Sequence, residues 1–148
     1  MKNLKLWKES PGRKPLILEG ARQVGKTWIV REFGRKYFSD VAYINFDRER
    51  ALSEHLARTL SPEALIHAIE VLHGNRIDPD NTLIIFDEVQ EEPRALSGLK
   101  YFCEDAPDYH IIATGSFMGI ALHEGTSFPV GKVEVEKMYP LSFLEFLE

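Results

Sequence analysis

Apolar residues in this chain fall into short runs that stop abruptly at a glycine, an acid or a hydroxyl residue. "PLILEG" (15–20) reads as a buried strand closed by glycine, and a helix is predicted over 25–37. "VAYINFD" (41–47) is a second strand, rich in β-branched and aromatic residues. "NTLIIFDE" (81–88) and "YHIIATGS" (109–116) are a third and a fourth, and "GKVEVEKMYP" (131–140) alternates like a fifth with one wet face. Between the second and third strands, "SPEALIHAIEVLHG" carries helix punctuation: Ser61 at the N-cap, Pro62 at the first helical position and Gly74 at the end. Leu65, Ile66, Ile69 and Leu72 recur at helical spacing and form its predicted core face. A helix near 93–105 and another opening at "PLSFLEFLE" complete the pattern.

Strands alternating with helices predict an α/β fold. It has three layers, with a mostly parallel five-stranded sheet between helices on both faces. The unbroken run Leu83-Ile84-Ile85-Phe86 agrees, because a central parallel strand is buried on both sides.

Composition narrows the class. The 148 residues, 44% of them hydrophobic, suit one domain with one core. Apolar runs fall far short of the ~18 residues that a membrane span needs, so no membrane association is expected. The opening "MKNLKLWKESPGRKP" is basic but lacks an apolar stretch, so it reads as a solvated lead-in rather than a secretory signal. The single cysteine, Cys103, excludes an internal disulfide and a Cys-rich zinc site, and a cytoplasmic location is expected. A net charge of −5 argues against tight nonspecific nucleic-acid binding. Five histidines (55, 67, 73, 110, 123) share no ligand spacing, so the only metal expected is nucleotide-bound Mg2+. Trp7 reads as an anchor for the lead-in segment or as a stacking face for adenine.

The chemistry is concentrated after the first strand. Gly20-Ala-Arg-Gln-Val-Gly25-Lys26-Thr27 matches G-x-x-x-x-G-K-[ST], the Walker A pattern, with a strand before it and a helix after it. The glycines, here Gly20 and Gly25, allow backbone angles and a close approach that a side chain blocks. Backbone N–H groups of about Gln23, Val24, Gly25, Lys26 and Thr27 can then point at phosphate oxygens, aided by the helix dipole. Lys26 reaches the β- and γ-phosphates of ATP, and the Thr27 hydroxyl ligates Mg2+. "LIIFDE" supplies the partner carboxylates of a Walker B strand. Asp87, at the carboxyl end of its strand, holds Mg2+ through water; Glu88, one residue on, orients and polarises an attacking water. Thr114 and Ser116 end the next strand, and Ser116 is preferred as the hydroxyl near the γ-phosphate because Thr114 is expected to face the sheet interior.

Together, "KPLILEGARQVGKT", "LIIFDEVQ", "ATGS" and "MYPLSFLEF" resemble the AAA+ branch of P-loop ATPases. More narrowly they resemble the N-terminal ATPase domain of a bacterial and archaeal family that joins it to an uncharacterised C-terminal domain. The resemblance runs from about Leu4 to Glu148. It implies that residues 1–148 are one AAA-type domain, truncated before the C-terminal part, with the Ser116 strand between the P-loop and Asp87 strands. It implies ATP and Mg2+ as ligands, a homo-oligomer in the intact protein, and hydrolysis that drives a conformational change but is slow in isolation. Where the family has Gly-Arg before its fifth strand, this chain has Gly131-Lys132, a point charge in place of a planar fork. Two other functions fit less well: a nucleotide-gated switch or scaffold with negligible turnover, and a P-loop small-molecule kinase. The kinase is disfavoured because Glu88 directly follows Asp87 and the chain has no arginine-rich lid. Whether DNA or a protein is the partner is left open by the residues.

Overall fold

In the computed structural model, residues 2–20, 25–116 and 131–138 are described. Five strands form one sheet: β1 (Leu16–Gly20), β2 (Asp40–Asn45), β3 (Thr82–Asp87), β4 (His110–Gly115) and β5 (Glu134–Met138), in the order β2-β3-β4-β1-β5 with every pair parallel. The helices are α1 (Lys2–Glu9), α2 (Lys26–Tyr37), α3 (Ala51–Arg58), α4 (Pro62–His73) and α5 (Pro93–Asp105). The α/β class, the parallel sheet and the position of β4 between β1 and β3 are as expected. Helices α1 and α3 and a 3-10 turn at Val89–Glu91 were not predicted.

Alternation along the strands sorts the core into two layers. Leu83 and Ile85 of β3 join Leu16 and Leu18 of β1 and Ile112 of β4 beneath Leu4, Trp7, Ile29, Val30 and Phe33 of α1 and α2. Ile84 and Phe86 join Ile17, Ala42, Ile44, Ile111 and Ala113 against Leu52, Leu56, Leu65, Ile69, Leu96 and Leu99 of α3, α4 and α5. The central strands are apolar without interruption because each successive side chain enters a different layer. The predicted face of α4 holds at Leu65, Ile66 and Ile69 but not at Leu72, which is 37% exposed. Leu72 lies in the last turn, where the next residue, His73, turns to Asp40 at the start of β2 (Nε2–Oδ2 2.7 Å). On β5 only Met138 is buried, so the expected dry face is absent; among the described residues this strand pairs with β1 alone, at the end of the sheet. The continuation of that strand past Met138 and the helix predicted from Pro140 lie outside the described residues.

The basic N-terminal segment is built into the domain rather than solvated. Leu4 and Trp7 are buried, and the Trp7 indole N–H donates to the Lys14 carbonyl at 2.7 Å. Arg13 donates to the carbonyls of Lys8 (3.1 Å) and Asp108 (3.0 Å). Lys5 and Lys8 lie over the rings of Tyr37 and Phe38 at the end of α2, where cation–π attraction and the helix dipole act together. Trp7 packs edge-on against His110, at the amino end of β4. That end is opposite the phosphate loop, which settles Trp7 as an anchor and not a stacking face for adenine. Burial, with Arg13 and Lys8 nearby, holds the His110 imidazole below its ordinary pKa, against an opposing hydrogen bond to the Pro79 carbonyl.

One close approach fixes α2 on the sheet. A Cβ at Gly34 would stand 2.6 Å from Cγ2 of Val41 and 3.1 Å from Cδ2 of Leu83. Gly34→Ala gains about 1 kcal/mol of helix propensity but overpacks a stiff β-branched neighbour, which costs about 1–3 kcal/mol. A net loss of stability is therefore expected, read as a lower midpoint in urea unfolding. A raised midpoint would mean that α2 moves off β2 at no cost.

Candidate functional site

The carboxyl ends of β1, β4 and β3 lie side by side, and the start of α2 rises beside them. Gly25 has φ 89° and ψ 16°, a left-handed conformation that favours glycine, and it turns the chain into α2. Lys26 follows, 8% exposed, with its ammonium donating to the Gly20 carbonyl at 2.9 Å. The loop thus closes on itself through its own lysine. Gln23 and Val24, predicted to present amide groups, lie outside the described residues.

Asp87 ends β3 on the α2 side of the sheet. The Thr27 hydroxyl lies 3.2 Å from its Oδ1 and 3.1 Å from its Oδ2. The hydroxyls of Thr114 and Tyr43 also donate to it, and the Glu88 backbone N–H reaches Oδ1 at 3.0 Å. Register explains the cluster: β3 pairs β4 at Phe86↔Ala113 and β2 at Asn45↔Asp87, so the side chains flanking Asp87 come from both neighbours. Burial, and then the hydrogen bond to Asp87, push the Tyr43 phenol up to about 12, so it remains a donor throughout the physiological range. The Arg31 guanidinium lies 4.5 Å from the centroid of the Tyr43 ring.

The expectation that Thr114 faces the sheet interior holds, but it does not take the side chain away from Asp87. Thr114 is fully buried, but on the α2 side, in the same alternation as Ile112, and this brings it to Asp87. Ser116, the preferred hydroxyl, stands just past the end of β4 and is half-buried. Tyr43 was not predicted at all. Its signal was parity within "VAYINFD", usable only once β2 is known to lie beside β3.

Glu88 departs from ordinary backbone geometry. Its φ of 56° and ψ of 47° are left-handed, the one such case outside glycine among the described residues, at a cost on the order of 1–3 kcal/mol. The chain turns there into Val89–Glu91, and the Gln90 side-chain amide donates to Glu88 Oε2. Two buried side-chain polar atoms of the described residues lack a hydrogen-bond partner, Glu19 Oε2 and Gln90 Oε1. Both belong to this carboxyl edge. Burial raises the Glu19 carboxyl above its ordinary pKa, opposed by Lys137 across the strand pair.

A family model described as an AAA domain matches residues 12–147. The chain belongs to the AAA domain family. Its fold is also that of two solved chains at 17% identity. One, from the structure of Drosophila ORC bound to AT-rich DNA and Cdc6, has a TM-score of 0.54 over 92% of this chain and 51% of that one. The other, from the structure of Drosophila ORC bound to DNA, has a TM-score of 0.55 over 93% of this chain and 85% of that one. The chain therefore spans about half the length of the first of these. No curated protein sequence matches it.

An AAA+ nucleotide-binding module is thus the coarse identity of this domain. Lys132, which stands where the resemblance placed an arginine, pairs with Glu104 of α5 at 3.5 Å. It precedes β5, which runs parallel to β1 with Gly20 opposite Met138. Six residues therefore separate Lys132 from the level of the phosphate loop, roughly 20 Å at strand rise. Lys132 does not reach the carboxyl end of β1 in its own AAA domain. Among the described residues no helix is long and apolar enough to cross a membrane.

Proposed function

We propose that this domain binds ATP with Mg2+ on the loop Gly20–Thr27 and hydrolyses it to drive a conformational change. The observation that carries the reading is the meeting of Thr27 and Asp87, whose oxygens lie 3.1–3.2 Å apart at the mouth of a left-handed glycine turn. Hydroxyl and carboxylate oxygens are the hard donors that Mg2+ selects. A Thr27 hydroxyl that donates to Asp87 leaves its lone pairs for a cation, while Thr114 and Tyr43 fix the carboxylate. The bound ion supplies charge neutralisation at the phosphate oxygens.

The residues divide the work by position. The phosphate cradle is assigned to the amide groups of Gln23, Val24, Gly25, Lys26 and Thr27, with Gly20 opening it. Lys26 exchanges the Gly20 carbonyl for phosphate oxygens. Glu88 takes a hydrogen bond from the attacking water and orients it, and Ser116 contributes a hydroxyl at the β4 end. The test is phosphate release from ATP by this chain, with and without Mg2+, and with duplex DNA added in parallel. DNA is the first effector to try because chains of like fold in Drosophila ORC are described bound to it. Slow release that requires Mg2+ is expected. Bound nucleotide with no release under any condition would leave a nucleotide-gated switch in place of an ATPase.

A further inference from the structure

We propose that Gln90 is the positioning residue for Glu88, holding one carboxylate oxygen so that the other faces the attacking water. This rests on the reading of Glu88 as the water-orienting base. The geometry is local and tightly determined. Val89 is fully buried and anchors the turn in the core. The N–H groups of Glu91 and Glu92 donate to the carbonyls of Glu88 (3.0 Å) and Val89 (3.1 Å), so the backbone on either side of Gln90 is fixed. The left-handed conformation of Glu88 folds its side chain back over this turn, where the Gln90 amide meets Oε2.

The chemistry of the pair assigns the amide. An ionised carboxylate only accepts hydrogen bonds, so the Gln90 nitrogen must face Glu88. Its oxygen is then the orphan, buried and without a partner, in a residue 5% exposed. A buried acceptor left unpaired weakens a fold, and an apolar side chain of the same length would avoid that. The amide is therefore unfavourable for packing, and what it offers here is its nitrogen. A glutamate side chain has three rotatable bonds, and Glu88, only part-buried, needs an outside contact to hold one rotamer. Gln90 supplies that contact to Oε2, whereas no described residue bonds Oε1.

Gln90→Met keeps length and volume but removes the donor; Gln90→Glu keeps shape but sets a second carboxylate against Glu88. Both are compared with the unaltered chain and with Glu88→Gln, with protein in excess over radiolabelled ATP so that very slow release is read. Expected in Gln90→Met are an unchanged or higher melting temperature, Mg-ATP affinity within about twofold, and phosphate release slowed by about 10- to 100-fold, as for a misplaced catalytic group. Gln90→Glu falls at least as far. In the Glu88→Gln background, Gln90→Met adds no further loss, because the two residues act as one unit. An unaltered rate in folded Gln90→Met overturns the inference, as does a second full loss in the Glu88→Gln background. Full activity in Glu88→Gln alone, or no release by the unaltered chain, instead defeats the reading of Glu88 as the base. The contact has its own readout: the Gln90 side-chain amide signal in 15N NMR should move in Glu88→Ala, and an unmoved signal also overturns the inference.

Discussion

Glu88→Gln is expected to slow ATP turnover by roughly 10²–10⁴-fold, the usual range for a positioned base, while leaving Mg-ATP affinity near its original value. The substitution is conservative where structure is concerned. Glutamine keeps the length of the side chain, and its amide oxygen still accepts from Gln90. The backbone turn at φ 56° is equally strained for either residue, so no change in fold is expected. What disappears is the charge that polarises water. In the proposed site, binding is assigned to other groups, Lys26, Thr27 and Asp87. Steady-state phosphate release and calorimetry on the same preparation decide the matter. An unchanged rate would remove Glu88 from the mechanism and leave the loop as a binding site only.

The second large effect falls on binding. Lys26→Ala should lower Mg-ATP affinity by about 10- to 100-fold, since a hydrogen bond from a charged group contributes about 1.5–3 kcal/mol. Lys26 is buried, and its ammonium is held by the Gly20 carbonyl at the root of the loop. It is therefore already ordered before phosphate arrives, and little side-chain entropy is lost on binding. Calorimetric titration of both proteins, with circular dichroism to verify the fold, reads the outcome. Equal affinities would place the nucleotide elsewhere. The two substitutions should thus fail in opposite ways, one retaining ligand without turnover and the other losing ligand.

Much of this was legible in the chain because it is local. A glycine-lysine-threonine turn between a strand and a helix, and an apolar strand ending in Asp87 and Glu88, are defined by neighbours in sequence. Helix α4 announced itself through Ser61, Pro62 and Gly74 for the same reason, and Gly74 indeed closes it with φ 86°. The short helices α1 and α3 did not, since eight residues carry too little periodicity, Leu4 with Trp7 and Leu52 with Leu56, to stand above a loop.

The partners of Asp87 belong to a different level. Thr27, Tyr43 and Thr114 come from α2, β2 and β4, and their meeting depends on strand order and register, which no local pattern encodes. Parity says that Thr114 faces the same side as Ile112, but only the sheet says which side holds α2. Likewise Lys132 reads in sequence as a point charge in place of the family's arginine, yet the parallel pairing of β5 with β1 carries it to the far end of the sheet. The sequence by itself determined the α/β class, the phosphate loop and the two acids, because hydrophobic period and motif chemistry act over a few residues. Tertiary structure alone decided which hydroxyls surround Asp87 and how Gln90 holds Glu88, because packing of distant segments sets which side chains come within hydrogen-bond reach.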